Sequence, residues 1–323
     1  MPHKDTSKIL FVINAFAGNN ADTPWQETIG EYFAQKNILV DYYLLPHPPD
    51  STALKQYIFK NLPQKVVAVG GDGTITLLAN LLLDTEIALG ILPGGSANGM
   101  ARELGISENT QEALAVIENG VVQNCDTIKI NNKNTCLHLS DIGLNARLIK
   151  YFSEGKIRGK LGYAILFLKT LWNREKMQVR IQADGLDIKR EAYMVVLANA
   201  RMYGTGLLIN PNGRLNDGLF EIVILRQLSV FSLLKMLIRP TALDPQEIEI
   251  FAVTQVEMNT SKKVHFQIDG EYMAKTKRVT AQMMPASLRL ILPKQNRAHL
   301  AGNTHNGIIL KKDVGFLALS NLS

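Results

Sequence analysis

The chain has 323 residues, 46% hydrophobic and 20% charged, with 35 Lys and Arg against 29 Asp and Glu for a formal charge of +6. That composition excludes a disordered or collagen-like chain. Two cysteines, Cys125 and Cys136, are too few and too far apart for a disulfide framework or a Cys-x-x-Cys site, and they suit a reducing compartment.

The length predicts two domains. The longest stretch free of Asp, Glu, Lys and Arg, residues 87–101, is interrupted by Pro93 and falls short of the roughly 20 apolar residues a spanning helix needs. Residues 9–17 have the outline of a signal-peptide core, but Asn14 interrupts it and Gly18-Asn19-Asn20 reads as a loop after a strand.

In chain order, residues 9–13 form a continuous apolar run, as expected of a strand buried on both faces. Thr23-Pro24 opens a helix to about Gln35, residues 38–45 read as a strand, and Asp50/Ser51 cap a helix to about Asn61. A buried strand at 65–69, a helix at 74–83, a strand at 87–92 and helices at 97–104 and 108–118 follow, with Gly120 as the C-cap. Repeated β-α units predict a parallel sheet with right-handed crossovers. After Asp126 strand-like runs dominate, at 127–130, 135–139, 179–183, 192–198, 220–225, 247–257 and 264–268. The helical exceptions are residues 159–172 and 230–238. This half reads as antiparallel, a sandwich or distorted barrel.

The chemistry concentrates in glycine loops. Gly70-Gly71-Asp72-Gly73-Thr74 follows a buried strand and opens a helix. Glycines let bare N–H groups approach an anion, and the helix N-terminus adds the positive end of a dipole. Asp72 stands where a carboxylate could hold Mg²⁺ or orient a hydroxyl. A second loop, Leu92-Pro93-Gly94-Gly95-Ser96-Ala97-Asn98, ends the next strand, and residues 14–18 end the first. All three fall on the carboxyl edge of the sheet, where open α/β folds bind ligands. Ser96 either caps the helix or bonds a phosphate oxygen. Neither Gly-x-x-x-x-Gly-Lys-Ser/Thr nor Gly-x-Gly-x-x-Gly occurs.

In the second half, Asp269-Gly270-Glu271 follows a strand. If extended, the two acids share a face and repel, which suits one of them to proton acceptance; otherwise they are the solvated acids of a turn. Arg214-Leu215-Asn216-Asp217-Gly218-Leu219 is either a hairpin with Asp-Gly at its tip or an oxygen-rich cation loop. Asp126 is a linker acid or a cleft acid. Lys156, Arg158 and Lys160, within residues 153–162, come ahead of the apolar run Leu161–Leu171, as a solvated turn or as a contact for anionic lipid or ATP phosphates.

Gly70–Thr74, the Leu-Pro-Gly-Gly-Ser-Ala-Asn run, Asn145-Ala146 after Gly143, Asn210-Pro211 before Asp217-Gly218, and Asp269-Gly270-Glu271 together resemble the diacylglycerol kinase catalytic-domain family, which includes bacterial soluble lipid kinases and the sphingosine and ceramide kinases. The first loop is shared more widely, with NAD kinases and phosphofructokinases; the ordered set is specific. The resemblance covers about Ile9 to Leu292.

It implies an α/β plus all-β fold, with an N-terminal three-layer α/β nucleotide-binding domain with a parallel sheet and a C-terminal β-sandwich domain. The first domain would span residues 1–126 with a returning segment at about 280–294, and the lipid-binding domain residues 127–279. A polar tail, residues 295–323, has no assigned role. The resemblance further implies an ATP- and Mg²⁺-dependent lipid kinase acting on a diacylglycerol-like hydroxyl. ATP would contact Asn14, Gly18, Gly70, Gly71, Asp72, Gly73, Thr74, Gly95, Ser96 and Asn98. Glu271 would accept the proton, supported by Asp269 and Asp72. Mg²⁺ would be held by the Asp217 side chain with the carbonyls of Arg214 and Leu219.

The implied setting is cytoplasmic, peripheral at the inner membrane face, with a lipid acceptor at the membrane surface and no nucleic acid. The pattern leaves oligomeric state open. Departures from the family pattern are Gly99-Met100 where bacterial members continue Asp-Phe, Thr76-Leu77 in place of Asn-Glu, and Arg147-Leu148-Ile149 where sphingosine kinases are acidic. A long-chain base or other lipid as acceptor, an NAD-kinase-like enzyme and a nucleotide-binding regulatory protein are the alternatives.

Overall fold

A computed structural model describes residues 7–18, 23–154, 175–203, 208–227 and 246–294. The helices expected at 159–172 and 230–238, the basic residues Lys156, Arg158 and Lys160, and the tail lie outside these residues.

Four parallel strands, β1 (Ser7–Ile13), β2 (Ile38–Leu44), β3 (Lys65–Gly70) and β4 (Ala88–Pro93), pair in the order β2-β1-β3-β4. Ile9 to Val12 are fully buried, as an unbroken apolar run requires when helices cover both faces. The helices are α1 (Trp25–Phe33), α2 (Ser51–Asn61), α3 (Asp72–Leu82), α4 (Gly99–Glu103) and α5 (Thr110–Asn119). Asp50 caps α2, accepting from Thr52 N and Ala53 N at 3.0 and 2.9 Å, and Asn109 caps α5 in the same way. Pro24 precedes α1 without a side-chain cap, so Thr23 contributes only its carbonyl, to Trp25 N.

The second half is antiparallel. It contains β5 (Val121–Ile130), β6 (Asn134–Cys136), β7 (Leu139–Gly143), α6 (Leu144–Glu154), β8 (Met177–Ala183), β9 (Leu186–Ala192), β10 (Met194–Ala198), β11 (Phe220–Leu225), β12 (Ile248–Val253), β13 (Gln255–Ile268) and β14 (Glu271–Leu292). The strand order β12-β11-β10-β7-β13-β14 runs on through β4 into the parallel strands, so one hydrogen-bonded path links the halves. The architecture is an N-terminal α/β domain with parallel strands and a C-terminal antiparallel, sandwich-like domain.

Three differences from the sequence expectation have physical causes. The run at 192–198 is two strands, because β9 pairs with β8 while β10 lies between β7 and β11. Helix α6 has no sequence cap of its own; Asp141, back in β7, accepts from Ala146 N at 2.9 Å in its first turn. The length of β14 is invisible locally, since its first half pairs with β13 and its last residues pair with β5 and, at Leu290, run parallel to β4.

Candidate active site

Three loops meet at the carboxyl ends of β1, β3 and β4. Asn14 Nδ2 donates to Thr74 Oγ1 at 3.0 Å, and Asn14 Oδ1 accepts from Phe16 N at 3.1 Å. Gly18 has φ +65°, and a β-carbon there would stand 2.8 Å from Gly94 O. A β-carbon on Gly70 would meet Thr74 Oγ1 at 2.6 Å, and one on Gly71 would meet Gly95 Cα at 3.1 Å. The loops are therefore in backbone contact, which only glycine permits. Asn98, left-handed at φ 50°, accepts from Gly95 N at 2.9 Å and keeps the second loop tight. Ser96 is exposed at its crest.

Helix α3 begins at Asp72, directly after β3 and Gly71, so its first-turn amides face the loop junction. The Asp72 carboxylate turns aside: Oδ2 accepts from Gly99 N and Oδ1 from Met100 N, both at 3.0 Å. It caps α4 and ties the first glycine loop to the second.

From the other half comes the β13–β14 turn. Asp269 (φ 47°) and Gly270 (φ 86°) form a two-residue hairpin loop of the primed type. This is the turn, not the extended arrangement, so Asp269 and Glu271 do not share a face. Asp269 points into protein: Oδ1 accepts from His138 N at 2.9 Å, Leu139 N at 3.2 Å and Cys136 Sγ at 3.2 Å, while Oδ2 accepts from Leu137 N at 2.8 Å. Burial holds its carboxyl above the usual range despite those amides. Burial and this carboxylate also push the Cys136 thiol well up, which makes it inert. Glu271 is exposed, and its Oε1 stands 3.6 Å from where a β-carbon on Gly73 would lie. The acidic turn of one half thus abuts the glycine loop of the other.

Between them lies a cavity of about 140 Å³, lined by Asp72, Thr76, Met100, Leu139, Tyr203 and Gln267 among others. Sequence reasoning missed the acid behind two of its lining residues, Tyr203 and Gln267. Asp141 is buried in β7 and accepts from Asn145 Nδ2 at 2.7 Å, Tyr203 OH at 3.0 Å and Gln267 Nε2 at 2.5 Å. Burial pushes it up to about 6 against those bonds. The available signal was a carboxylate standing alone among the uncharged side chains of residues 139–146.

The Asp217 loop is not a hairpin tip. Asp217 Oδ1 accepts from Leu219 N at 3.1 Å, a local turn that leads into β11, and Gly218 N donates to Asp126 Oδ2 at 2.7 Å. Asp126 Oδ1 accepts from Ala286 N at 2.7 Å, so Asp126 joins this loop to β14. Burial and nearby Asp126 raise Asp217, and burial with the Asp217 charge pushes Glu221 up to about 7. Arg214 and Asp217 are exposed and Leu219 is half-buried.

Residues 8–130 match the diacylglycerol kinase catalytic domain, and residues 140–292 match the YegS C-terminal NAD kinase beta sandwich-like domain. The chain belongs to the diacylglycerol kinase catalytic-domain family. A diacylglycerol kinase of Bacillus subtilis is 28% identical over 237 residues, covering 70% of this chain and 75% of that protein. A protein of Escherichia coli O1:K1 named "Probable lipid kinase YegS" is 27% identical over 235 residues, covering 71% and 78%. The crystal structure of a diacylglycerol kinase from Bacillus anthracis superposes with a TM-score of 0.69 at 20% identity, covering 90% of this chain and 98% of that one. In this member of the family, the glycine loops lie in the catalytic-domain half and Glu271 comes from the sandwich half.

Proposed function

We propose that this chain is an ATP- and Mg²⁺-dependent lipid kinase that phosphorylates the hydroxyl of a diacylglycerol-like lipid to a phosphatidate-like product. The observation that carries this reading is the approach of Glu271 to Gly73, which brings an exposed carboxylate from one half to the helix terminus and glycine loops of the other. Phosphates of ATP take the amides of Gly71 to Gly73 and of the second loop at Ser96 to Asn98, with Asn14, Gly18 and Thr74 at the rim and Gly95 keeping the loop tight through Asn98. Glu271 accepts the proton of the lipid hydroxyl. The hydroxyl oxygen bonds the γ-phosphorus as the bond to the β-phosphate oxygen breaks, and ADP leaves. Asp269 and Asp72 support this from the backbone amides they hold.

The acceptor's polar end fits the cavity between Met100 and Tyr203. Asp217, with the carbonyls of Arg214 and Leu219, would hold Mg²⁺. The donor chemistry fits, because all three offer oxygen. Burial first, and then negative charge from Asp126 on Asp217 and from Asp217 on Glu221, raises Asp217 and Glu221, and a dication relieves that crowding. Bound there, the ion would supply positive charge against these acids and stiffen the loop.

The chain meets its substrate at the membrane surface, peripherally on the cytoplasmic side. The net charge of +6 supports contact with an anionic surface; no helix among the described residues is long and apolar enough to cross a membrane. Nucleic acid has no part in this reading.

The test is transfer of labelled γ-phosphate from ATP to vesicles of total lipid extract, with the labelled lipid identified. A phosphatidate-like product is expected, and Glu271→Gln should lower kcat by about 10²–10⁴ with little change in the KM for ATP. Near-full turnover by Glu271→Gln overturns the base assignment, and label in NAD with none in lipid overturns the lipid reading.

A further inference from the structure

The turn that presents Glu271 is held by a buried side-chain relay. Gly270 N donates to Gln267 Oε1 at 2.8 Å, and Gln267 Nε2 donates to Asp141 at 2.5 Å. Asp141 and Gln267 are each only 1% exposed and lie on neighbouring strands in register, Asp141 opposite Gln267. The polarity of the relay is fixed from one end. Asp141 accepts from Ala146 N, Asn145 Nδ2 and Tyr203 OH as well, so it offers Gln267 only an acceptor. Gln267 must then turn its amide nitrogen to Asp141 and its oxygen to Gly270. Gly270 is the last residue before Glu271, and its left-handed φ of 86° sets the direction in which β14 departs.

We infer that Asp141 is a positioning residue for phosphoryl transfer, acting through Gln267 and the Gly270 amide to hold Glu271 against the glycine loop. The inference rests on the lipid-kinase reading with Glu271 as base. Asp269 anchors the first turn residue by its own carboxylate, and the Asp141 relay anchors the second; the two together leave Glu271 one place to stand. A misplacement of the base on the order of 1 Å is enough to cost about a hundredfold in rate.

Asp141→Asn breaks the relay with almost no change in volume. Whichever way the new amide turns, either Ala146 N or Gln267 Nε2 faces another donor. If Gln267 flips to compensate, its nitrogen faces Gly270 N. Adding Gln267→Glu restores the order, because the residue-141 amide then donates to a carboxylate that still accepts from Gly270. Gln267→Met removes the link by another route.

The experiment uses the full chain, with ¹⁵N-glycine labelling to follow amide exchange at Gly270, and labelled ATP with total-lipid vesicles to follow kcat and KM. Asp141→Asn and Gln267→Met are each expected to speed Gly270 exchange at least about tenfold and to lower kcat about 10- to 100-fold. The KM for ATP should stay within about twofold. The two changes should be non-additive, and Asp141→Asn with Gln267→Glu should recover most of both losses. The proposal is overturned by unchanged exchange and kcat in Asp141→Asn and Gln267→Met, or by a fall in kcat that the paired variant does not recover. If the unaltered chain labels no lipid, the kinase reading falls and takes this proposal with it. If it labels lipid and Glu271→Gln is inactive while Asp141→Asn keeps full kcat, the proposal alone falls.

Discussion

At the scale of single residues, the two glycine loops depend on atoms that are missing. A β-carbon at Gly95 would land on the backbone of Gly71, and neither loop can retreat because Gly94 N also donates to Gly70 O at 2.8 Å. Gly95→Ala should destabilise by about 3 kcal/mol, the upper end of overpacking costs, and weaken ATP binding in calorimetry. Gly185→Ala is the contrast. Gly185 sits at φ 85° with open space around it, so the change should cost only about 1–2 kcal/mol of backbone strain and leave ATP affinity intact.

Glu221 gives a pH signature. It is buried, accepts from Asn210 Nδ2 at 2.6 Å, and is pushed up to about 7, so the folded chain keeps a proton that the unfolded chain releases near 4.5. Its contribution to stability is greatest below about pH 4.5 and is lost as pH rises to about 7, by up to roughly 3 kcal/mol. Urea unfolding in EDTA should show Glu221→Gln flattening that fall.

At the scale of elements, α4 is only five residues long and too short to persist by itself. It exists because Asp72 accepts from its first two amides, and because Met100 and Ala101 are buried in the core. Asp72→Ala should cost about 1–2 kcal/mol in urea unfolding and raise the KM for ATP, since the second glycine loop hangs from this helix. Asp72→Asn, which keeps one acceptor oxygen, should lose less. The β13–β14 hairpin shows local sequence prevailing. Asp-Gly takes the left-handed pair of conformations that a two-residue turn needs, here at residues 269–270 and again at 184–185 between β8 and β9. At 217–218 the same dipeptide makes no hairpin. β11 continues from it toward β10 and β12, and Gly218 N is engaged by Asp126.

At the scale of the whole molecule, β14 couples the two halves. Its early residues complete the sandwich with β13. After a kink at Ala286 (φ 53°), Leu288, Leu290 and Leu292 enter the core of the parallel half. Asp126 fastens the kink, with one oxygen on Ala286 N and the other on Gly218 N. Asp126→Ala strands two amides and should cost about 3 kcal/mol. Because the joint is shared, the loss should appear in both halves: fluorescence of Trp25, in the first half, read in a Trp172→Phe background, and hydrogen exchange of β11, in the second, should report the same shift. Unequal shifts would show that the halves unfold independently.

The parallel α/β half was legible from the chain alone, because each apolar run, cap and glycine turn there is a local device whose physics closes within a few residues. The make-up of the glycine loops was legible too, since strand–glycine–helix reads as a contiguous string. Which acid is left facing the loops, and which are held inward, depends on long-range contacts. Asp72, Asp269 and Glu271 are the same chemistry on paper. Two of them are turned inward by backbone amides 27 to 132 residues away in the chain, and one is left at the loop junction. Asp141 and Gln267 were likewise unreadable, because a buried polar pair 126 residues apart is defined by strand register alone. That register is set by the whole sheet, which no local pattern contains.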